Sequence, residues 1–318
     1  MKPMPRAAPL TIHADSLGFS AGSSLNVTGN LTLSLAGTLT DAAGDDTDVD
    51  ITASDLSITG VTSIGSTAAD AVNLAVDNLA LTSAGDVFLT ESDGLGVGTL
   101  NATGFDIFLS SGGAITNNTS DIRAVDLTLN TTTADDAIGA TGTGTLNVTL
   151  SGNLNSSTTG NGGIYLSQTG TLNVGTVDGD TGNVELTATA GIADATSDIT
   201  ANNLDLTVTD DGASIGSTTT SAINVTVAGE LSASAATGAG DIVLTQVDTG
   251  ALTLGAIAWA LIKGILEFPG VLAVAVAAGW AIGAVLWQVR ATPLLAAMVA
   301  AGAWLVGLLL TWLVAMAI

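Results

Sequence analysis

The chain contains no cysteine, so a disulfide framework, a thiolate nucleophile and a cysteine-ligated metal site are all closed to it. Basic residues are nearly as scarce: 5 Lys and Arg stand against 29 Asp and Glu, a formal net charge of −24. They are Lys2, Arg6, Arg123, Lys263 and Arg290, which leaves Arg123 alone between residues 7 and 262. Such a surface repels phosphate backbones and anionic lipid, which argues against nucleic-acid partners. It also keeps a long repetitive chain soluble. Aromatics make up 3% of the residues and the single histidine is His13. Residues 1–10 are basic but lack an apolar core of signal-peptide length. Pro3, Pro5 and Pro9 make a poor start to any folded element. Residues 1–24 are therefore expected to be a loose entry segment, and the chain a fragment of a longer exported protein.

What the chain has in abundance is repetition. Val125-Asp-Leu-Thr-Leu129 and its near copy Leu204-Asp-Leu-Thr-Val208 alternate apolar with polar residues, the two-residue period of a half-buried strand. A second apolar beat follows each, at Ile138-Gly139 and Ile215-Gly216. Rungs can be cut at Asp86, Phe105, Val125, Thr145, Gly163, Asn183, Asn203, Ile223 and Asp241, spaced by about 18 to 20 residues. A longer period of about 77 residues, or four rungs, relates Phe88-Leu-Thr90, Tyr165-Leu-Ser167 and Val243-Leu-Thr245. In Val87-Phe-Leu89, Ile107-Phe-Leu109, Ile164-Tyr-Leu166, Val184-Glu-Leu186 and Ile242-Val-Leu244 the flanking pair is aliphatic while the middle residue varies. The pair therefore faces inward and the middle residue outward. Stacked rungs pair in parallel and satisfy one another's backbone. Residues 25–257 are predicted to be an all-β parallel solenoid of about eleven or twelve coils, with Gly- and Asn-rich corners.

At Ala258 the composition changes to Ala, Val, Leu, Gly and Trp. Residues 270–289 and 293–318 are each long enough, at about 1.5 Å per residue, to cross a hydrocarbon core of roughly 30 Å. Residues 258–268, with Lys263 and Glu267, read as a short interfacial helix, so the tail is predicted to be an α-helical membrane hairpin. Arg290 in its tip would face the cytoplasm, leaving the solenoid outside. A fusion of unrelated segments at about residue 258 is the competing reading, because solenoids normally carry terminal caps.

Few residues suggest chemistry. Lyase action needs a cationic group near carboxylates, and within the repeats only Arg123 is cationic. Paired carboxylates could hydrolyse glycosides, but the many Asp residues fall at turns and outward positions, where solvation is the ordinary explanation. No catalytic residue and no resident cofactor is assigned. Asp45, Asp46, Asp48 and Asp50 form the densest acidic cluster, with oxygen ligands suited to Ca²⁺. That loop lacks the central Gly and terminal Glu of an EF-hand, and a plain solvated loop is the favoured explanation. Asp178-Gly-Asp180 and Asp210-Asp-Gly212 are weaker candidates of the same kind. Phe88 and Phe108 hold the same outward position in consecutive rungs and would stack about 4.8 Å apart. Together with Tyr165, the equivalent residue a cassette later, they form a candidate surface for sugar rings or a partner; a ladder that only stiffens the coil is the plainer alternative. Threonine pairs such as Thr187/Thr189 and Thr207/Thr209 do not hold a flat register over many coils.

With the rungs laid out, residues 25–257 resemble the filamentous-haemagglutinin-like adhesins and related bacterial β-strand-repeat surface proteins. The Gly-Asp-Ile-Val-Leu-Thr rung start at 240–245 and the Leu-Thr-Leu-Gly-Ala-Ile beat at 252–257 carry the likeness. The resemblance implies a right-handed β-helix at a bacterial surface, non-catalytic, adhering to host or matrix glycans, proteins or neighbouring cells. The family's secretion domain is not seen and the hydrophobic tail is foreign to it. The competing functions are a carbohydrate-active β-helix enzyme and a membrane protein with an incidental acidic ectodomain.

Overall fold

The computed structural model describes residues 9–41, 48–217, 221–236, 240–247 and 253–258. The hairpin expected over 258–318 lies outside the described residues, apart from Ala258, which ends the last described strand. Among the described residues no helix is long and apolar enough to cross a membrane.

Every strand pairs in parallel, and the chain winds into a β-solenoid of about 11 turns with coils of ~21 residues. Each coil contributes to two ladders. Ladder A takes, among others, Val87–Glu91, Ile107–Ser111, Leu127–Thr131 and Asn153–Ser157, each hydrogen-bonded to the next. Ladder B takes Leu95–Asn101, Ile115–Ala124, Leu146–Leu150, Ile164–Gln168, Val184–Ala188 and Leu204–Val208 in the same way. The long strands Ile51–Val61 and Val72–Ser83 turn the corner between them: Val72 pairs with Leu89 in ladder A, while Leu79 pairs with Val97 in ladder B.

Inward side chains of both ladders belong to one core. Leu127 and Leu206 are both fully buried in it, as are Val87, Leu89, Leu109, Ile164 and Leu186. The aliphatic pairs flanking each variable residue thus face the axis as their alternation implies, with Ile242 and Leu244 only partly covered. At roughly 1.5–3 kcal/mol for each fully buried aliphatic side chain, this column is the main term holding coils together. It matters more than usual in a chain that has no cross-link.

Two expectations are corrected. The ladders start earlier than residue 25: Leu10–Ala14 pairs with Leu31–Leu35, and Leu17–Phe19 pairs with Thr38–Asp41. The residues taken as a loose entry segment therefore already supply a coil from Leu10 onward. Nor are the rungs of one length. Ile107 pairs with Leu127, but Leu127 pairs with Leu154 instead of a residue in the expected rung at Thr145. The reason is a protruding loop. Ile138 and Leu146 sit over Ile164 and Leu166, so residues 139–145 leave the ladder at the level of Tyr165. Residues 65–71 leave in the same way opposite Phe88, and the pairings of Ile215 with Ile242 and of Ile223 with Leu244 place the same break opposite Val243. Each begins with a glycine at positive φ, Gly65 (63°), Gly139 (72°) and Gly216 (68°), a conformation that a side chain at that position would strain. The Ile-Gly beats are accordingly single bridges at the mouth of a loop rather than second strands.

Candidate functional site

The loops change what the long period does. From Val87 the chain passes Ile107, Leu127 and Leu154 in ladder A, and the repeat then recurs at Ile164 in ladder B. The cassette therefore spans three coils and half of another, not a whole number, and successive copies land on alternate ladders. Phe88, Phe108, Thr128 and Asn155 form one outward column of ladder A, each in register with the next. Their counterparts Tyr165, Glu185, Asp205 and Ser232 form an outward column of ladder B.

The structure brings Phe88 and Phe108 together and sets Tyr165 on the other ladder. The two phenyl rings are half-buried, with centroids 6.3 Å apart and planes tilted by 33°, so they touch obliquely and do not stack at the strand spacing. The loop 65–71 crowds Phe88: a Cβ added at Gly65 would come within 2.9 Å of the Phe88 Cβ. Among the described residues Tyr165 has no aromatic neighbour; its strand partner is Glu185, and its ring folds back over Gly163, where an added Cβ would collide with it. The aromatic surface is thus a pair of rings flanked by a loop, with Thr128 next along the column.

The acidic groups are largely absorbed by backbone. Asp50 is buried, and its Oδ2 accepts the N–H of Asn73 in the following coil at 2.9 Å. It therefore faces the ladder and not a ligand shell shared with exposed Asp48; Asp45 and Asp46 lie outside the described residues. Asp178 Oδ1 accepts the N–H of Asp180, whose Oδ2 accepts that of Gly160. Asp135 Oδ1 accepts both the backbone and the side-chain N–H of Asn161, which lowers its pKa below the ordinary carboxylate value. Among the described residues no three His, Asp or Glu side chains converge as a metal site. Arg123 is held by Asp121 at 3.0 Å with both side chains well exposed, an arrangement worth little in water.

Two constellations escaped the sequence reading. The first is a corner ladder: Asp86 accepts the N–H of Asp106, Asp106 that of Asp126, and Asp126 that of Asn153. Its counterpart on ladder B uses Asn183, Asn203 and the N–H of Glu230. The signal was visible, since an Asp or Asn precedes the aliphatic start of nearly every regular rung. The second is an inward polar stripe on ladder A, Glu91, Ser111, Thr131 and Thr158, all buried. Its hydroxyls donate to carbonyls of the adjoining turns: Ser111 to Asp93, Thr131 to Asp136 and Thr158 to Gly162. The corresponding stripe on ladder B is Gln168, Ala188, Val208 and Ala235, apolar after its first member.

No family model, curated protein or solved structure matches the chain. The fold class, a parallel β-solenoid, rests on the pairing pattern itself.

Proposed function

We propose that this chain is a non-catalytic structural rod, exported by a bacterium, that displays outward columns for adhesion and is held at a membrane by residues 258–318. The observation that carries the reading is the contrast between constant interior and changing exterior. The inward residues flanking each outward position are Val, Leu or Ile except at Ser156 and Ala233, while the outward positions run Phe, Phe, Thr, Asn on one ladder and Tyr, Glu, Asp, Ser on the other. A repeated scaffold with varied outward residues is what presentation of a surface requires. The carboxylates favour the same reading: Asp86, Asp106 and Asp126 are committed to backbone N–H groups, so they are not poised as an acid and base about a cleft. Partners of matching chemistry are neutral glycans or polypeptides that lay an apolar face on Phe88 and Phe108.

The test uses the full chain in detergent against immobilised neutral and acidic polysaccharides, extracellular-matrix protein and intact cells. The expected outcome is retention on one of these surfaces, reduced several-fold by Phe88→Ala with Phe108→Ala, and no new reducing ends in the polysaccharides. Cleavage of a polysaccharide would replace the rod with an enzyme. Retention on none of the surfaces would remove the adhesive role.

A further inference from the structure

Three residues hold one position of the long repeat: Glu91, Gln168 and Gln246. Glu91 and Gln168 end the strands Val87–Glu91 and Ile164–Gln168, and Gln246 ends Leu244–Gln246; each pairs with the strand that re-enters the ladder after Gly65, Gly139 or Gly216. Each side chain reaches the backbone of the preceding coil just past its last paired residue. Gln168 shows the complete arrangement. Its Oε1 accepts the Leu150 N–H at 3.0 Å, and its Nε2 donates to the Leu150 carbonyl at 3.0 Å and the Thr171 carbonyl at 3.1 Å. Gln246 Nε2 likewise donates to the Val227 carbonyl at 3.3 Å. Glu91, 1% exposed, accepts the N–H of Val76, the counterpart of Leu150, at 3.2 Å to each carboxyl oxygen. It also accepts the Ser92 N–H at 3.0 Å. A carboxylate accepts only; the un-ionised acid keeps an acceptor and gains the donor that an amide has.

We propose that Glu91 is a proton-operated latch between the coils at 72–76 and 87–93: the neutral acid reproduces the two-way clasp of Gln168, and the carboxylate releases half of it while burying a charge. Among the described residues the surroundings offer no counter-charge. Strand Val72–Ser83 brings only Asp77, strand Ile107–Ser111 brings no titratable group, and the following turn brings Asp93. Ser111, opposite Glu91 in the ladder, spends its hydroxyl on the Asp93 carbonyl. Burial, countered in part by the backbone donors, pushes the Glu91 pKa from 4.5 up to about 7. A raised acid pKa makes the folded state the better proton binder. The contribution is therefore complete below the unfolded value of 4.5 and is lost as pH climbs through about 7.

Because solenoid coils open locally, the readout should be local too. The experiment is amide hydrogen exchange of the full chain from about pH 5 to pH 8, corrected for intrinsic rates, in wild type, Glu91→Gln and Gln168→Glu. Wild type should lose protection on the order of 100-fold in peptides covering Val76 and Ser92 as pH rises, the size that the shift implies. Glu91→Gln should hold those peptides protected at every pH, and Gln168→Glu should install the same slope at Leu150. Flat protection in wild type, or an equal slope in Glu91→Gln, overturns the latch. If Glu91→Gln fails to fold, the Leu150 slope in Gln168→Glu decides: its presence supports the latch and its absence refutes it.

Discussion

Residues 87–158 and residues 164–235 are two copies of one cassette laid on different ladders, and they have been finished in opposite ways. The first is aromatic outside and polar inside: Phe88 and Phe108 face solvent while Glu91, Ser111, Thr131 and Thr158 are buried. The second is acidic outside, through Glu185 and Asp205, and nearly apolar inside, through Ala188, Val208 and Ala235. What they share is the aliphatic pair in the first three strands of each copy, with a smaller second member at Ser156 and Ala233 in the fourth, and the Asp or Asn that caps the next coil. Those shared parts are the fold; the parts that differ are free to serve other ends.

The first way to break the comparison is through the shared core. Leu109→Ala and Leu186→Ala remove equivalent, fully buried side chains, and each should cost about 3 kcal/mol, measured by urea unfolding. A difference between them above about 1 kcal/mol would mean that the copies do not carry equal loads. Next comes the corner ladder. Asp106→Ala leaves the Asp126 N–H without its acceptor and should cost about 1–2 kcal/mol. Asp106→Asn should restore most of it, because asparagine does this work at Asn203. Thr131→Val, which installs the residue of the second copy, should cost about 1 kcal/mol by losing the bond to the Asp136 carbonyl. The smallest effect belongs to the aromatic pair. A double-mutant cycle on Phe88 and Phe108 should give a coupling of about 0.5–1 kcal/mol, and Glu185→Phe should create a similar coupling with Tyr165.

Much of this was legible in the residues. Alternation placed Leu127 and Leu206 in one core, because a half-buried strand leaves its period in composition. The register was not legible, and the loops explain why. A protruding loop keeps the turn-rich polar composition of an ordinary corner, so the residues at 139–145 look like part of a rung when they lie outside it. Equal cuts from Val125 to Thr145 therefore step from one ladder to the other. The register of Phe88 with Phe108 is legible because no loop intervenes between them, but not the tilt of their rings. Tyr165 was matched to the right cassette position and to the wrong face. The roles of Glu91 and Gln168 were hidden for a different reason: a buried polar residue at a strand end is recognisable only once the backbone it satisfies is in view.

The half-coil offset can be measured directly, since a chain without cysteine accepts one engineered pair cleanly. In-register outward residues of neighbouring parallel strands lie about 4.8 Å apart, within disulfide reach. Thr128→Cys with Asn155→Cys, partners in ladder A, should oxidise to an intramolecular disulfide visible by mass spectrometry. Thr128→Cys with Asn147→Cys, the outward residue of the next expected rung, should remain reduced. The reverse outcome would contradict the two-ladder account and the placement of Phe88 and Tyr165 with it.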